Sequence, residues 1–299
     1  MKRAVSISIG SSKRDKAVEV KLLGETVHIE RIGTDGDMEK AAELLKELDG
    51  KVDAFGLGGA DLGILVDKNF YPLYSVRPMV RHVLKTPLVD GEGLKNTLEN
   101  RVVKFMQSKV GDYIKEKKAL ITSGADRWGM TMAFEEAGYD CVYGDFMFGL
   151  GIPIALHSYK TLKMVAPVVM PIAGRLPFKW VYPTGEKQEK REPKWEKYYQ
   201  WATVIAGDMH YVRRHIPDSL TGKIVVTNTT TPTDVDLLKK IGIKYLVTTT
   251  PVMDGRSFGT NMLEAALIAA SGKGRKLTHA ELNDLIDQLK LEPQIQELN

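Results

Sequence analysis

Short apolar runs alternate with glycine turns and amphipathic stretches over most of the chain. Residues 4–9 (AVSISI) predict a strand. Residues 18–32 predict two short strands around Gly24, with apolar positions at Val27, Ile29 and Ile32. Residues 37–48 (DMEKAAELLKEL) carry a helical period, with Asp37 as the N-cap and Gly50 just past the end. Residues 52–57 predict a buried strand, and the glycine-rich GLGGAD that follows must turn. After the short run LVD, residues 94–110 predict a helix leading into a second α/β unit near residue 117.

That second unit opens with the most informative stretch, Lys117 to Asp145. It has the order strand, glycine turn, helix, strand, acid, which is the order of a dinucleotide-binding half. Gly124 and Gly129 stand where the first and third glycines of G-x-G-x-x-G would stand. Asp145 follows Gly124 at about the 20-residue spacing of a carboxylate that binds ribose hydroxyls. Asp126 occupies the middle glycine's place, where a carboxylate repels a pyrophosphate or caps the next helix.

The rhythm breaks over residues 146–182, which hold glycines, prolines and many apolar side chains. Residues 183–200 are charged with interleaved aromatics. An insertion of this length is functional or an oligomer contact. Strands are expected again at 203–206, 224–227 and 244–249, with helices at 234–241 and 260–271. Residues 278–299 predict one amphipathic helix, with Thr278 as N-cap and Glu281 in the capping-box position. The expected fold is α/β. A substrate-type domain spans 1–100, and a Rossmann-like doubly wound parallel sheet spans 101–275 with the insertion 146–200. A C-terminal helix covers 276–299.

Composition narrows the class. Of 299 residues, 43% are apolar and 27% charged, as in a globular chain. A formal charge of +4 with no clustered basic face argues against a nucleic-acid partner. The lone Cys141 cannot form an internal disulfide, no stretch reads as a signal peptide, and none approaches a membrane span. The expectation is a cytoplasmic protein with a small-molecule substrate and no membrane partner, with a homodimer as one possible assembly. The six histidines are spread singly and give no metal-ligand spacing.

Three segments in order resemble the shikimate/quinate 5-dehydrogenase family: TPLVDGEGLKNTLE (86–99), the glycine turn of 122–129, and KIVVTNTTTPTDVDLLKKIGIKYLVTTTPVMDGRSFGTNMLEAALIAASGK (223–273). The resemblance covers about half the chain. It implies a substrate domain joined to a Rossmann-like domain, with a catalytic Lys–Asp pair in the cleft. Asp90 matches the Asp of that pair. The place of the Lys, FGLGGADLG, holds none, and Lys68 and Lys85 are the nearest in sequence. The serine pair that holds the substrate carboxylate looks like Ser6 and Ser8, or Ser11 and Ser12. Ala266 stands where the family has a glutamine.

These readings give the candidate residues. Ser123, Gly124, Asp126, Arg127, Gly129, Asp145 and Thr229 are the cofactor set, with NAD (or NADP) as cofactor and the Asp145 carboxylate favouring NAD. Ser6, Ser8, Asp61 and Arg213 are the substrate set. Asp90 and His210 are the catalytic pair, with Lys68 as reserve donor, because His210 lies beyond the carboxyl end of a strand. The expected function is an NAD(P)-dependent oxidoreductase acting on a small hydroxy or keto acid in an interdomain cleft. The alternatives are an S-adenosylmethionine-binding transferase and a non-catalytic ligand sensor.

Overall fold

A computed structural model describes residues 1–178, 191–253 and 256–299. The chain builds two main sheets, each mostly parallel with one antiparallel edge strand. The first contains β1 (Lys2–Ser8), β2 (Lys16–Leu22), β3 (Glu25–Gly33), β4 (Ala54–Gly58) and β7 (Leu88–Val89) in the order β2-β3-β1-β4-β7. β2 and β3 pair antiparallel through a turn at Leu23 and Gly24, both at positive φ. β1 pairs parallel with β3 on one side and β4 on the other, so its carboxyl end is where the chain's progress across the sheet reverses. α1 (Met38–Leu48) begins at Asp37, whose side chain accepts from Lys40 N–H, and buries Ala41, Ala42 and Leu45. The hairpin β5 (Gly63–Val66) and β6 (Asn69–Pro72) and the short α2 (Arg77–Val80) fill the span before β7.

The single helix expected at 94–110 is broken. α3 (Glu92–Asn96) ends at Thr97, whose hydroxyl bonds to the Gly93 carbonyl, a 3-10 turn follows over Glu99–Arg101, and α4 (Val102–Val110) comes after it. A side-chain hydroxyl that bonds back to the preceding turn competes with the helical ladder.

The second sheet holds β8 (Lys118–Ile121), β9 (Asp140–Tyr143), β10 (Val204–Ala206), β11 (Ile224–Thr227) and β12 (Tyr245–Thr248), all parallel. Its order, β9-β8-β10-β11-β12, is the doubly wound 2-1-3-4-5 arrangement, with the reversal between β8 and β10. The connecting helices are α5 (Trp128–Glu136), α6 (Tyr159–Ala173), α7 (Glu196–Trp201), α8 (Met209–His215) and α9 (Pro232–Lys240). The fold is therefore the expected α/β class with a Rossmann-like second unit.

Two boundaries differ from expectation. After the small hairpin β13 (Val252–Met253) and β14 (Arg256–Ser257), the chain returns to the first sheet. There α10 (Thr260–Ser271) and α11 (His279–Gln288) bury Leu263, Ala266, Leu267, Leu282 and Ile286 against Ala4, Val27, Ile29 and Ala54. α10 thus packs on the first sheet, although it follows the second sheet in the chain. α10 is buried from Met262 to Ala270 and mostly apolar there, and such a helix needs cover on every side. The tail is not one helix either. α11 has the expected capping box at Thr278 and Glu281, but it stops at Gln288. Pro293 intervenes, and β15 (Gln294–Glu297) adds to the second sheet antiparallel to β12.

The insertion contains a helix that its prolines concealed. α6 carries Pro167 and Pro171 on its outer side while Leu162, Ala166 and Met170 form a buried stripe at four-residue spacing. Residues 179–190 of the insertion lie outside the described residues, and with them the first part of the charged stretch. Among the described residues no helix is long and apolar enough to cross a membrane.

Candidate functional site

The carboxyl ends of the two sheets meet at a buried cluster of charges. Arg127 follows β8 and Asp208 follows β10, the two strands flanking the reversal point, where open α/β sheets bind ligands. Arg127 Nη2 lies 2.5 Å from Asp208 Oδ2 across that crevice. Asn228, just past β11, donates to the same oxygen at 2.9 Å. Asp208 also caps α8, accepting from His210 N–H at 2.9 Å. Arg127 Nη1 reaches Glu99 at 2.5 Å and Nε reaches Asp126 at 3.2 Å.

Lys95 enters from α3. Its Nζ lies 2.7 Å from Asp61, which follows β4 in the first unit, and 2.6 Å from Asp126 in the second. Ion pairs thus run from Asp61 through Lys95, Asp126 and Arg127 to Asp208, spanning both units. Lys95 is 5% exposed and Arg127 3%, while the Asp61 and Asp208 side chains keep 21% and 26% of their surface. The cations are buried, and these two carboxylates are the more exposed members at the two ends of the chain of ion pairs.

The environment separates the groups by protonation. Burial opposes the charge on Lys95, but Asp126 and Asp61 outweigh it and hold the ammonium well above the ordinary lysine value. Burial pushes Asp61 above the usual carboxylate range despite its lysine partner. Burial also works against Asp208, and there the Arg127 guanidinium prevails and keeps it low. Glu99, wholly inside, is raised by the same burial, and its Oε2 has no partner among the described residues. Lys95 and Arg127 are thus fixed cations, Asp208 a fixed anion, and Asp61 a group able to exchange a proton near neutrality.

The residues expected from sequence divide. Asp90 touches this region, and its charge acts on Lys95 and Asp61. Its oxygens, however, accept backbone N–H groups, Leu62 at 2.6 Å and Glu92 at 3.1 Å. His210 lies beside Asp208, half-buried, with Nε2 enclosed and unpartnered among the described residues. Burial lowers its pKa, and Asp208 partly offsets that. Lys68 is exposed in the β5–β6 turn and cannot serve as reserve donor; the lysine in the cleft is Lys95. Arg213 pairs with Asp234 at 3.3 Å within its own unit, a packing role in place of a substrate contact. Ser6 accepts from Asn261 at 2.7 Å in the first unit's interior, so it too is engaged structurally. Ser8 accepts from Arg31 Nη2 at 2.9 Å at the end of β1.

The glycine turn needs a larger correction. Asp145 was expected to bind ribose. Instead its carboxylate accepts the N–H groups of Gly124 at 3.1 Å and Ala125 at 2.8 Å. Those amides are the ones a pyrophosphate would use. Burial pushes Asp145 up to about 6, and the two amides pull against it. A Cβ on Gly124 would meet Tyr143 and Leu162, so the turn is roofed by the protein's own side chains. Gly129 is needed because α5 crosses α3 so closely that a Cβ would run into the Lys95 carbonyl. Ser123 is buried with an unpartnered hydroxyl among the described residues, and Thr229 is half-buried after β11. The turn as built does not fit a dinucleotide pyrophosphate on these amides.

Lys95, Glu99 and Asn228 were missed. Lys95 and Glu99 are four residues apart, beside the apolar positions Leu94, Leu98 and Val102. Charges that share a buried helical face need partners, and that signal was available.

Fold and cleft define a two-unit, doubly wound α/β protein with a charged site where the units meet. The chain belongs to the family described as domain of unknown function DUF8754, whose model matches residues 93–298. A second domain of unknown function, DUF8753, matches residues 3–90. No curated relative matches the chain. Among solved structures, an NAD-dependent malic enzyme from Thermotoga maritima is similar at 12% identity, with 95% of this chain and 75% of that one covered and a TM-score of 0.39. An ABC transporter solute binding protein from Bacillus halodurans with bound myo-inositol is similar at 11% identity, with 99% and 94% covered and a TM-score of 0.41. Similarity at this level carries no argument about what this chain binds.

Proposed function

We propose that the chain is an enzyme that binds a small hydroxy or keto compound between its two units and moves a proton at the substrate oxygen. The observation that carries this reading is the buried Lys95 ammonium, shared by Asp61 of one unit and Asp126 of the other. A fixed cation in a water-poor site stabilises negative charge developing on a substrate oxygen. Asp61, raised toward neutrality and partly open to the cleft, exchanges the proton. His210, beside Asp208 on the facing unit, is a second proton carrier within the same crevice. The resemblance of Asp90 and its surroundings to the shikimate/quinate 5-dehydrogenases supports a hydroxyl or carbonyl as the reacting group.

Hydride transfer to NAD or NADP is a second reading, favoured by the strand–turn–helix–strand order of β8, α5 and β9. It needs a binding mode that does not use the Gly124 and Ala125 amides. Screening hydroxy and keto compounds for turnover, with and without NAD and NADP, tests both readings. Lys95→Met and Asp61→Asn should each reduce turnover by about 10²–10⁴-fold. Unchanged turnover in both variants would remove the proposal. Turnover without either nucleotide would remove the second reading alone.

A further inference from the structure

Just beyond β1, at the reversal point of the first sheet, two guanidinium groups come together. Gly10 makes the room. A Cβ there would collide with Arg14 Nη2 and would sit 3.1 Å from Arg31 Nη2 and 3.4 Å from Ser8 Oγ. Arg31 is anchored: Nη1 bonds Asp15 at 2.7 Å and the Ser11 carbonyl at 3.0 Å, and Nη2 bonds Ser8 Oγ at 2.9 Å. Arg14 is exposed and has no ion pair among the described residues. Its charge and that of His210 act on one another across the cleft. His210 Nε2 is enclosed with no partner among the described residues.

Like charges held side by side cost free energy unless something negative lies between them. Burial first, and the Arg14 charge next, depress the Arg31 guanidinium below its ordinary value. Asp15 neutralises Arg31, which leaves the exposed Arg14 charge without a partner among the described residues. The free Arg14 fork, with the uncommitted N–H of Arg31 Nη2 and a hydroxyl beside it, matches the oxygens of a tetrahedral anion.

We propose that Arg14, Arg31 and Ser8 form a subsite for a phosphate group on the substrate. The subsite rests on the reading of this cleft as a substrate site and narrows the substrate to a phosphorylated hydroxy or keto compound. The phosphate lies at the β1 end of the cleft. The reacting oxygen lies at Lys95.

Calorimetry with inorganic phosphate, malonate and acetate as probes tests this on the full chain. Phosphate should bind saturably and more tightly than acetate. Arg14→Ala, a change at an exposed side chain, should weaken it about tenfold or more. Gly10→Ala, which displaces the Arg14 guanidinium, should weaken it in the same direction. Lys68→Ala, at an exposed lysine in the β5–β6 turn outside the site, should leave phosphate binding within about twofold. Retained phosphate binding with no turnover on any hydroxy or keto compound would leave the subsite standing and remove the catalytic reading. No phosphate binding to the unaltered chain, equal binding by the Arg14→Ala variant, or binding of malonate without phosphate would overturn the subsite.

Discussion

The Asp145 carboxylate accepts the backbone N–H of Ala125 at 2.8 Å, so the acid at the end of β9 closes the glycine turn at the end of β8. Gly124 N–H binds the same group at 3.1 Å. The chain thus supplies its own anion at the place where a dinucleotide fold receives a phosphate.

Asp145→Ala should therefore act first on stability. Two N–H groups lose their acceptor, at a cost of about 2–4 kcal/mol. Urea unfolding measures it, with the midpoint falling and the slope unchanged. A variant as stable as the parent would show that water or another group serves these amides equally well. If the parent binds NAD and the variant does not, the ribose role of Asp145 returns.

Asp126→Asn tests the centre of the ion-pair chain. Asp126 holds both Lys95 and Arg127. Its neutral replacement should cost about 2–4 kcal/mol, because removing one partner of a buried pair leaves the other charge poorly compensated. The Lys95 ammonium should also titrate closer to the ordinary lysine value, since Asp126 is the leading group holding it up. Nitrogen NMR of the Lys95 side chain reads this directly. An unmoved titration would mean that Asp61 alone holds the ammonium.

Gly129→Ala should destabilise by about 1–3 kcal/mol through overpacking. The new methyl group would meet the Lys95 carbonyl and the Asn96 Cα, which are backbone and cannot swing away. Thermal unfolding at fixed pH decides it, and an unchanged midpoint would mean that α3 and α5 are less closely set.

Glu264 on α10 should make stability fall with rising pH. Burial, with the nearby Asp90 and Glu92 charges, pushes its carboxyl up to about 8. The folded state then holds a proton that the unfolded state has released above about 4.5. The folded state accordingly gains from this group at low pH, and the gain is lost as pH rises from about 4.5 through about 8. Glu264→Gln keeps an acceptor for Leu94 N–H and cannot ionise. It should be more stable than the parent at pH 9, by about 1–4 kcal/mol, and nearly equal to it at pH 5. A difference independent of pH would place the cause in packing.

Much of the architecture was legible from local rules. Alternation and helical period located β1, the β2–β3 hairpin, α1, β10, β11, β12 and α10, and side-chain chemistry marked the caps at Asp37 and Thr278. These features depend on a few neighbouring residues, so the sequence by itself determines them. The break at Thr97, the helix through Pro167 and Pro171, and the strand β15 depend on what packs against them. The site lies furthest from local rules. Lys95 finds Asp61 and Asp126 at separations of 34 and 31 residues, and Arg127 finds Asp208 at 81. The return of α10 to the first sheet likewise joins segments from opposite ends of the chain. Sequence named Asp61, Asp126, Arg127, Asp145 and His210 as candidates, but not the pairing of Asp61 and Asp126 with Lys95 or of Asp145 with its own turn. A buried charge takes the nearest opposite charge or amide that the packed fold offers. Only the tertiary arrangement decided that Asp145 would serve its own turn and Lys95 the cleft.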